Sequence, residues 1–554
     1  MNTPTPALLT QAAARRLPRL ALLLFCAAYL LPGVFGRDPW RNADLANFGV
    51  MVAIAEGRSP WLAPTLGSVA VDASPLPHWL GALSISLLSP LVEPALAARL
   101  PFALLLALVL ALTWYATFHL ARTDAALPAA FAFGGEAAPV DYARAIADGA
   151  LLALIATLGL LQLGHETTPE LAQLCAVGLF LYGLAAAPFR RWQARAAVLV
   201  ALPMLASSGA ASVALALGLA GAGVCALSGY TPVRALARWV LASTGAAALA
   251  ALTIGALRWR LAPGFDVELA LTVARQWLWF LWPVWPLVLW TLWQWRRHLW
   301  HRHLAVPLAT VLVALAANLA LGGSDRALML ALPGMAVLAA FALPTMARST
   351  TAAIDWFSMF FFTLSAAAIW VIYAAFQTGV PAKPAANVAK LAPGFVAHLS
   401  WPALLLAFAA TLAWLWLVRW RSGRHQQAVW KSLVLPAGGV ALCWLLLMTL
   451  WLPLLDYARS SRPLIDRLAA IVPPGSCVAG IDLSLPFIAA LEHHGRYRVD
   501  ALPGAAQRDC DVLLQVTPRR PLPPTPLGWT SSAELQRPTD RDEVTAVYHR
   551  SAAR

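Results

Sequence analysis

The sequence predicts a helical membrane protein that crosses the bilayer many times and carries a small α/β domain at its C-terminal end. Of its 554 residues, 60% are hydrophobic and only 12% are charged, whereas a soluble globular chain carries about 25% charged residues. Apolar runs recur from Leu17 to Leu454, and each is long enough to cross a hydrocarbon core of about 30 Å. Many of the 25 tryptophans lie beside the ends of these runs, as expected at a membrane surface.

Thirteen of the apolar runs are predicted to span the membrane. In chain order they are 17–36, 98–120, 149–165, 170–187, 194–208, 210–228, 239–257, 273–294, 303–321, 326–345, 353–377, 399–419 and 430–454. A further run, 75–90, is short and flanked by proline. It predicts a re-entrant or interfacial helix rather than a full crossing.

Basic residues predict the orientation of the chain. With Arg15, Arg16 and Arg19 in the cytoplasm, alternation of the spans places the other basic clusters between spans on that same side. These clusters lie at 190–195, 234–238, 296–302 and 419–424. The net charge of +14 is therefore explained by topology and by anionic lipid. No nucleic-acid-binding motif accompanies it, so a nucleic-acid partner is not expected.

This orientation defines two predicted domains in the membrane protein. Residues 1–455 form the multi-pass transmembrane domain, in which the first external loop covers 37–97. Residues 456–554 form a periplasmic α/β domain, because strand-like runs there alternate with helix-like runs. That domain contains Cys477 and Cys510, and an oxidising compartment would permit a disulfide between them.

The acidic residues of the first external loop are the leading candidates for chemistry. An isolated aspartate at the mouth of a lipid-accessible cavity, such as Asp44, is suited to deprotonate an acceptor hydroxyl. Arginines from other loops would neutralise a phosphate leaving group. A structural alternative stays open, since an aspartate also favours the N-cap of a helix that begins at Leu45. Asp38, before Pro39, is interpreted as a turn residue.

A motif in this loop favours the catalytic interpretation. The loop reads NADLANFGVMVAIAEGRSPWLAPTLGSVAVDASPLPHWLGALSISLL, and ALAARLPFAL follows it. This pattern resembles the first loop of GT-C glycosyltransferases, in particular the bacterial lipid A aminoarabinose transferases and the protein O-mannosyltransferase superfamily.

The resemblance implies roles for individual residues. Asp44 takes the place of the family's first aspartate, which implies a catalytic base, and Asp72 falls on the glutamate of the family's Phe-Glu-Lys-Pro pattern. Trp79 and Arg99 fall on substrate-site positions of the Trp-Leu and Arg-Leu-Pro patterns. Asp148 resembles an aspartate that opens a later span, and Arg326 resembles a basic residue that precedes a Leu-Pro motif.

The chain also departs from the family pattern. Leu45 replaces the second acid of an Asp-Glu pair, Ala73 replaces a lysine, and Ser207-Ser208-Gly209 stands where many relatives have Thr-Lys-Gly. Lysines are natural partners for phosphate. If the chain is active, we expect Arg258, Arg260 or Arg326 to supply the missing positive charge.

The resemblance implies an inverting glycosyltransferase that moves a sugar from a polyprenyl-phosphate carrier to a glycan, lipid or protein acceptor on the periplasmic side. Convergence of Asp44 with Asp72 or Asp148 would permit a divalent metal, although no spacing requires one. Two alternatives stay open. One is a catalytically inactive relative that binds or assembles, and the other is a transporter of lipid-linked saccharides, which usually shows repeated halves.

Overall fold

The computed structural model describes residues 5–40, 42–72, 74–256, 264, 266–423, 428–507, 510–519, 525–540 and 542–551. The chain folds into two compact units. Unit 1 comprises Met1–Gly33, Phe102–Ala367 and Leu405–Leu446, and unit 2 comprises Val34–Pro101, Ala368–Leu404 and Leu447–Arg554.

Helices dominate the described residues. They are α1 (Arg19–Leu30), α2 (Ala43–Ala55), α3 (Pro75–Leu88), α4 (Pro94–Ala121), α5 (Pro139–Ala156), α6 (Leu158–Leu163), α7 (Pro169–Ala186), α8 (Arg191–Ser207), α9 (Ala211–Ala226), α10 (Thr231–Thr253), α11 (Val267–Phe280), α12 (Val284–Gln294), α13 (Arg302–Ala320), α14 (Asp325–Met329), α15 (Leu332–Ala340), α16 (Arg348–Thr378), α17 (Ala382–Leu391), α18 (Trp401–Ser422), α19 (Val434–Leu450), α20 (Leu452–Arg459), α21 (Arg462–Ala469) and α22 (Leu485–His493). Short 3₁₀ turns lie at Asp124–Ala126, Leu343–Thr345, Val429–Leu433 and Ala505–Gln507.

Eight described helical segments are long and apolar enough to cross a membrane. They are Pro94–Ala121, Pro169–Ala186, Thr231–Thr253, Arg302–Ala320, Asp325–Thr345, Arg348–Thr378, Trp401–Arg421 and Val429–Leu450. The other five predicted spans coincide with helices that are shorter, broken or more charged, namely α1, the pair α5 and α6, α8, α9 and the pair α11 and α12. The predicted polytopic helical class is confirmed.

Small side chains allow the helices of unit 1 to approach closely. Helix α10 packs against α8 and α9, and α7 packs against α8. A Cβ added at Gly218 of α9 would overlap the side chain of Thr244 on α10, and one at Gly221 would overlap Phe180 of α7. Such glycines let helix backbones pack without a lipid layer between them.

Unit 2 contains the first loop and the C-terminal residues. Helix α2 packs against both α3 and α22. Strands β1 (Thr65–Leu66) and β2 (Val69–Ala70) form a short hairpin that follows α2. A Cβ built on Gly49 of α2 would overlap that of Ala489 on α22, so the two helices meet at a position that only glycine fits.

The C-terminal residues of unit 2 form a five-stranded mixed sheet. Its strands are β3 (Cys477–Ile481), β4 (Arg498–Asp500), β5 (Val512–Pro518), β6 (Trp529–Leu535) and β7 (Glu543–Arg550), in the order β4-β3-β5-β7-β6. Strands β3, β4 and β5 are parallel, and β7 pairs antiparallel with β5 and β6. A disulfide joins Cys477 to Cys510, a pairing that the sequence left open.

The four strand-like runs predicted from the sequence correspond to β3, β4, β5 and β7. Strand β6 is an additional finding. It lies at the edge of the sheet and reads WTSSAEL, with several exposed positions. An edge strand with few apolar side chains leaves only a weak pattern in the sequence.

Candidate active site

Asp44 lies in the first turn of α2 and is 1% exposed. Its Oδ2 atom accepts hydrogen bonds from Nη1 of Arg37 over 2.9 Å and from the backbone N–H of Trp40 over 3.1 Å. Because α2 begins at Ala43, before Asp44, and this oxygen accepts from residues that precede the helix, the N-cap alternative is wrong. Asp44 instead organises the loop segment that leads into α2.

Arg99 of α4 lies in the same environment and is 4% exposed. Its Nη1 donates to the carbonyl of Val34 over 3.3 Å. Its Nη2 atom has no hydrogen-bond partner in the described part of the chain. Arg99 interacts electrostatically with both Arg37 and Asp44, so the structure brings two of the predicted site residues, Asp44 and Arg99, together.

Asp456 of α20 is hydrogen-bonded to the first loop beside Asp44. Its Oδ1 atom accepts from the backbone N–H of Asp38 over 2.9 Å and from the indole N–H of Trp40 over 3.1 Å. Burial raises the pKa of Asp456, and the charge of Asp38 raises it further. We call Arg37, Trp40, Asp44, Arg99 and Asp456 the Asp44 cluster.

The indole ring of Trp40 is contacted by two arginines from distant parts of the chain, Arg37 and Arg459. The guanidinium of Arg37 lies 4.7 Å from the ring centroid, and that of Arg459 lies 4.9 Å from it. Cation–π contacts of this kind are worth about 0.5–1 kcal/mol when exposed and more when desolvated. With the hydrogen bond to Asp456, they fix the indole beside the Arg37–Asp44 pair.

Asp38 has a larger role than the predicted turn. Its carboxylate accepts from Nη2 of Arg462 over 2.6 Å, from Nε of Arg462 over 2.8 Å and from the hydroxyl of Ser460 over 2.7 Å. Burial alone would raise the pKa of Asp38, but these hydrogen bonds and the charge of Arg462 lower it to about 2. The fork of Arg462 therefore ties the first loop to the start of α21.

Hydrogen bonds continue from α20 and α21 to the C-terminal sheet. The hydroxyl of Thr539 donates to the carbonyl of Ala458 over 3.1 Å, and Nη2 of Arg537 donates to the hydroxyl of Ser461 over 3.2 Å. Both donors lie between β6 and β7. The sheet is thus connected to the Asp44 cluster through α20, which explains why this domain accompanies the site.

Trp79 and Asp72 lie elsewhere in unit 2. The indole N–H of Trp79 donates to the carbonyl of Trp61 over 2.7 Å, which fixes the loop before β1. Asp72 is exposed and precedes α3. No described contact joins either of them to the Asp44 cluster. Their predicted roles in catalysis and substrate binding stay predictions.

Asp148 lies inside α5 and holds the N-terminal segment. Its Oδ2 accepts from the backbone N–H of Leu17 over 2.8 Å, and its Oδ1 accepts from the indole N–H of Trp114 over 2.8 Å. Leu17 precedes α1, whereas the first loop follows α1 in the chain. The described contacts therefore give Asp148 a structural role at the start of α1, and its predicted role in substrate binding stays a prediction.

Arg326 is engaged by acidic residues of unit 1. Its Nη2 donates to Glu166 over 2.5 Å, and its Nη1 contacts Glu170 over 3.4 Å and the hydroxyl of Thr168 over 3.1 Å. Two carboxylates compensate its charge, so it is not set up as an uncompensated phosphate ligand. The sequence analysis missed this cluster, although HETTPE, between two apolar runs, was a signal.

An open cleft lies beside this cluster in unit 1. It has a volume of about 460 Å³. Its lining combines apolar side chains with a polar edge, and consists of Leu158, Gly159, Gln276, Trp279, Phe280, Gly323, Ser324 and Asp325. The predicted ligands Arg258 and Arg260 lie outside the described residues.

The described residues offer little support for a metal site. Among them, no group of three or more His, Cys, Asp or Glu side chains is arranged to hold a metal ion. Oδ2 of Asp44 already accepts from a cation, Arg37, and from a backbone N–H. These donors do not fit a divalent metal at Asp44.

Comparison with known proteins identifies the fold. No protein-family model and no curated protein sequence matches the chain. Two crystal structures of ArnT from Cupriavidus metallidurans match over 96% of this chain. The one bound to undecaprenyl phosphate matches over 96% of its own length with a TM-score of 0.60, and the apo one over 98% with a TM-score of 0.61. The chain shares the ArnT fold. The predicted resemblance to lipid A aminoarabinose transferases is thereby confirmed at the level of fold.

The likeness to ArnT extends over nearly the whole chain, yet the sequence identity is 13% in both comparisons. Because the match covers 96% of the chain, the shared ArnT fold includes both the helical membrane part and the C-terminal sheet. The roles of individual residues must therefore be argued from the contacts described above.

Proposed function

We propose that the protein is an integral membrane glycosyltransferase that moves a sugar from a polyprenyl-phosphate carrier to an acceptor hydroxyl on the periplasmic side of the bacterial inner membrane. One observation carries the proposal: a buried carboxylate, Asp44, lies among arginines in a chain with the ArnT fold. The ArnT structure bound to undecaprenyl phosphate supports a polyprenyl carrier.

In this proposal Asp44 is the general base. It takes the proton of the acceptor hydroxyl while the hydroxyl oxygen attacks the anomeric carbon of the donor sugar. A new carbon–oxygen bond forms there as the bond to the phosphate oxygen breaks, and the configuration at that carbon inverts. The polyprenyl phosphate leaves with the electron pair of the broken bond. General base catalysis of this kind contributes about 10²–10⁴-fold to the rate.

Arg99 is the proposed partner of the leaving phosphate. It is buried near Asp44, and its Nη2 has no acceptor among the described residues. A guanidinium matches phosphate oxygens in geometry and stays charged. Arg99 would thereby replace the charge of the family lysine that is Ala73 here. Such a donor stabilises the charge that develops as the bond breaks.

For Asp44 to act as a base, its ion pair with Arg37 has to weaken. In the structure it pairs with Oδ2 of Asp44, which stabilises the carboxylate as an anion but lowers its affinity for a proton. An incoming phosphate would compete for the Arg37 guanidinium. Donor binding would then free the base, which couples binding to activation.

The open cleft of unit 1 is suited to bind an apolar chain. Its apolar walls include Leu158, Trp279 and Phe280, and its edge carries Gln276 and Asp325. Clefts with apolar walls and a few polar groups are typical binding sites for amphiphiles. We propose that it binds a chain of a membrane lipid.

The burial and ion pairing of Asp44 favour a second candidate function, that of a catalytically inactive relative that binds lipid-linked sugars. Asp44 is 1% exposed and paired with Arg37, Arg326 is paired with two glutamates, and the family lysine is absent at Ala73. A protein of this kind would retain the carrier-binding site without transfer.

Transfer of radiolabelled sugar from a panel of polyprenyl-phosphate donors tests the proposal. The wild type is compared with Asp44→Asn, which keeps the shape of the side chain and removes the base. The matched control is Asp355→Asn, because Asp355 also pairs with an arginine, Arg421, outside the Asp44 cluster. We expect transfer by the wild type and the control, with a loss of at least about 100-fold in Asp44→Asn.

Equal transfer by wild type and Asp44→Asn would show that Asp44 is not the base. Donor binding without transfer in the wild type, across the whole panel, would instead support the inactive relative. Donor retention is therefore measured on the same preparations.

A further inference from the structure

Arg302 is a buried cation without a hydrogen-bond partner among the described residues. It is the first residue of α13 and is 7% exposed. None of its three guanidinium nitrogens, Nε, Nη1 and Nη2, has a hydrogen-bond acceptor in the part of the chain that the structure describes. Arg302 belongs to unit 1 and is separate in sequence from every residue of the Asp44 cluster.

A guanidinium in this state is costly. The penalty for burying an ion is several kcal/mol even after relaxation, and it is offset only by a counter-charge and well-placed hydrogen bonds. Buried polar groups are accordingly almost always satisfied by protein or by a bound molecule. The absence of an acceptor at all three nitrogens indicates that one is supplied from outside the chain.

The neighbours of Arg302 do not supply this charge. The titratable groups that interact with it are the thiol of Cys225, on α9, and the phenol of Tyr230, just before α10. Both are uncharged near neutral pH. Asp124, the nearby acid, accepts a hydrogen bond from the hydroxyl of Tyr230 over 3.3 Å. Among the described residues, no ion pair includes Arg302.

The surroundings favour an anion rather than another protein group. Arg302 lies at the N-terminal end of a 19-residue helix, where free backbone N–H groups and the helix dipole attract negative charge. Arg296 and Arg297 are exposed just before it. Trp300, which lies between these two arginines and Arg302 in the chain, is 88% exposed, as is common where a protein meets lipid headgroups.

We propose that Arg302, at the N-terminal end of α13, binds a phosphate group at the basic end of unit 1. The predicted topology places this end at the cytoplasmic leaflet, where phosphates of anionic phospholipids are abundant. The flanking tryptophan and arginines favour a lipid headgroup as the source, while free phosphate offers the same chemistry. This site is distinct from the proposed transfer site and does not depend on it.

Thermal melting of the full-length, lipid-stripped protein in detergent tests the proposal. The additions are phosphatidylglycerol, a galactosyl diacylglycerol without phosphate, inorganic phosphate, and chloride at equal ionic strength. We expect phosphatidylglycerol to raise the Tm of the wild type by about 3 °C and the galactolipid to raise it by less than about 1 °C. A response to inorganic phosphate as well would identify free phosphate as sufficient.

Three variants assign the effect to Arg302. Arg302→Met removes the charge and keeps the length, and we expect it to lose the response to phosphatidylglycerol. Without lipid it should be at least as stable as the wild type, because a buried unpaired charge has been replaced by an apolar side chain. Arg302→Lys should keep part of the response, which guards against a folding defect. Arg348→Met, at an exposed arginine outside this group, should respond as the wild type does.

The proposal is overturned if the wild type responds equally to phosphatidylglycerol and the galactolipid and does not respond to inorganic phosphate. It is also overturned if Arg302→Met responds as the wild type does, since the phosphate would then bind elsewhere. A lipid-stripped Arg302→Met protein much less stable than the wild type would show that Arg302 has a partner within the chain.

Discussion

Arg37 donates to Asp44 over 2.9 Å, and the two side chains are 2% and 1% exposed. The pair joins a residue that follows the first helix to a residue in the first turn of α2. Because both charges are removed from water, the attraction between them is screened little by solvent. The stability of the protein should therefore be sensitive to a change in either partner.

Removing only one member of the pair should be more harmful than removing both. Arg37→Met leaves Asp44 buried near Arg99 without its main partner, and we expect a loss of about 3–5 kcal/mol in stability. The double variant Arg37→Met with Asp44→Asn should recover part of this loss. Thermal melting of the three variants in detergent measures the coupling. Strict additivity would show that the pair contributes nothing beyond its separate side chains.

The contact between Asp38 and Arg462 should make stability depend on acid pH. The pKa of Asp38 is lowered from 3.8 to about 2 in the folded protein, because the hydrogen bonds and charge of Arg462 outweigh the effect of burial. The contribution is therefore present above about pH 4 and is lost as the pH falls toward 2. Since Arg462 is 54% exposed, we expect less than about 1 kcal/mol.

Asp38→Asn should lack this acid-dependent loss. The measurement is tryptophan fluorescence of wild type and variant in detergent, followed from pH 6 to about pH 2. Superimposable acid profiles for the two proteins would contradict the assigned role of Asp38. Glu268→Gln, at an exposed carboxylate outside unit 2, serves as the control.

Gly49→Ala should weaken the packing of α2 against α22. In an exposed helix, alanine stabilises by up to about 1 kcal/mol relative to glycine, but here the new methyl group would overlap Ala489. We expect a lower Tm and lower transfer activity, because α2 carries Asp44. Gly223→Ala is the matched control, since Gly223 is also helical and has no atom within 4 Å of an added Cβ. A stabilised Gly49→Ala protein would show that α22 moves aside freely.

Arg326→Gln should destabilise unit 1 rather than reduce donor affinity. It would leave Glu166 and Glu170 near each other without their shared cation, at an expected cost of about 1–3 kcal/mol. Adding Glu166→Gln to this variant should restore part of the stability. Melting and retention of a polyprenyl-phosphate donor are measured together. Lost donor retention with unchanged melting would return Arg326 to the substrate-binding role predicted from the sequence.

The membrane architecture was predictable because helices that cross a bilayer require long apolar runs, which are visible in the sequence. Every predicted span contains a helix or a helix pair, and the run 75–90, which was predicted not to cross, contains the short helix Pro75–Leu88. The strands β3, β5 and β7 were predictable because they are apolar and central in the sheet. Strand β6 was not, since its position at the edge requires few apolar residues.

The candidate site was only partly predictable. Asp44 and Arg99 stand out because each is a charged residue beside a long apolar run, and the structure places both in one cluster. Asp456 lies 416 positions beyond Trp40, to which it is hydrogen-bonded, and belongs to the cluster only through the fold. Asp148 and Arg326 were predicted from their resemblance to family positions, and such a resemblance does not reveal a partner such as Leu17 or Glu166.

The disulfide between Cys477 and Cys510 has a consequence for biogenesis. Two thiols 33 positions apart in the chain become linked only where an oxidant is present, so their redox state in living cells reports which side of the bilayer the sheet has reached. If the sheet is exported, an alkylation assay on intact cells would find these two cysteines protected and released only by a reductant. The same sheet holds Asp38 and Trp40 through α20, so maturation of the transfer site would wait for the export machinery and the oxidant rather than for folding in the bilayer alone.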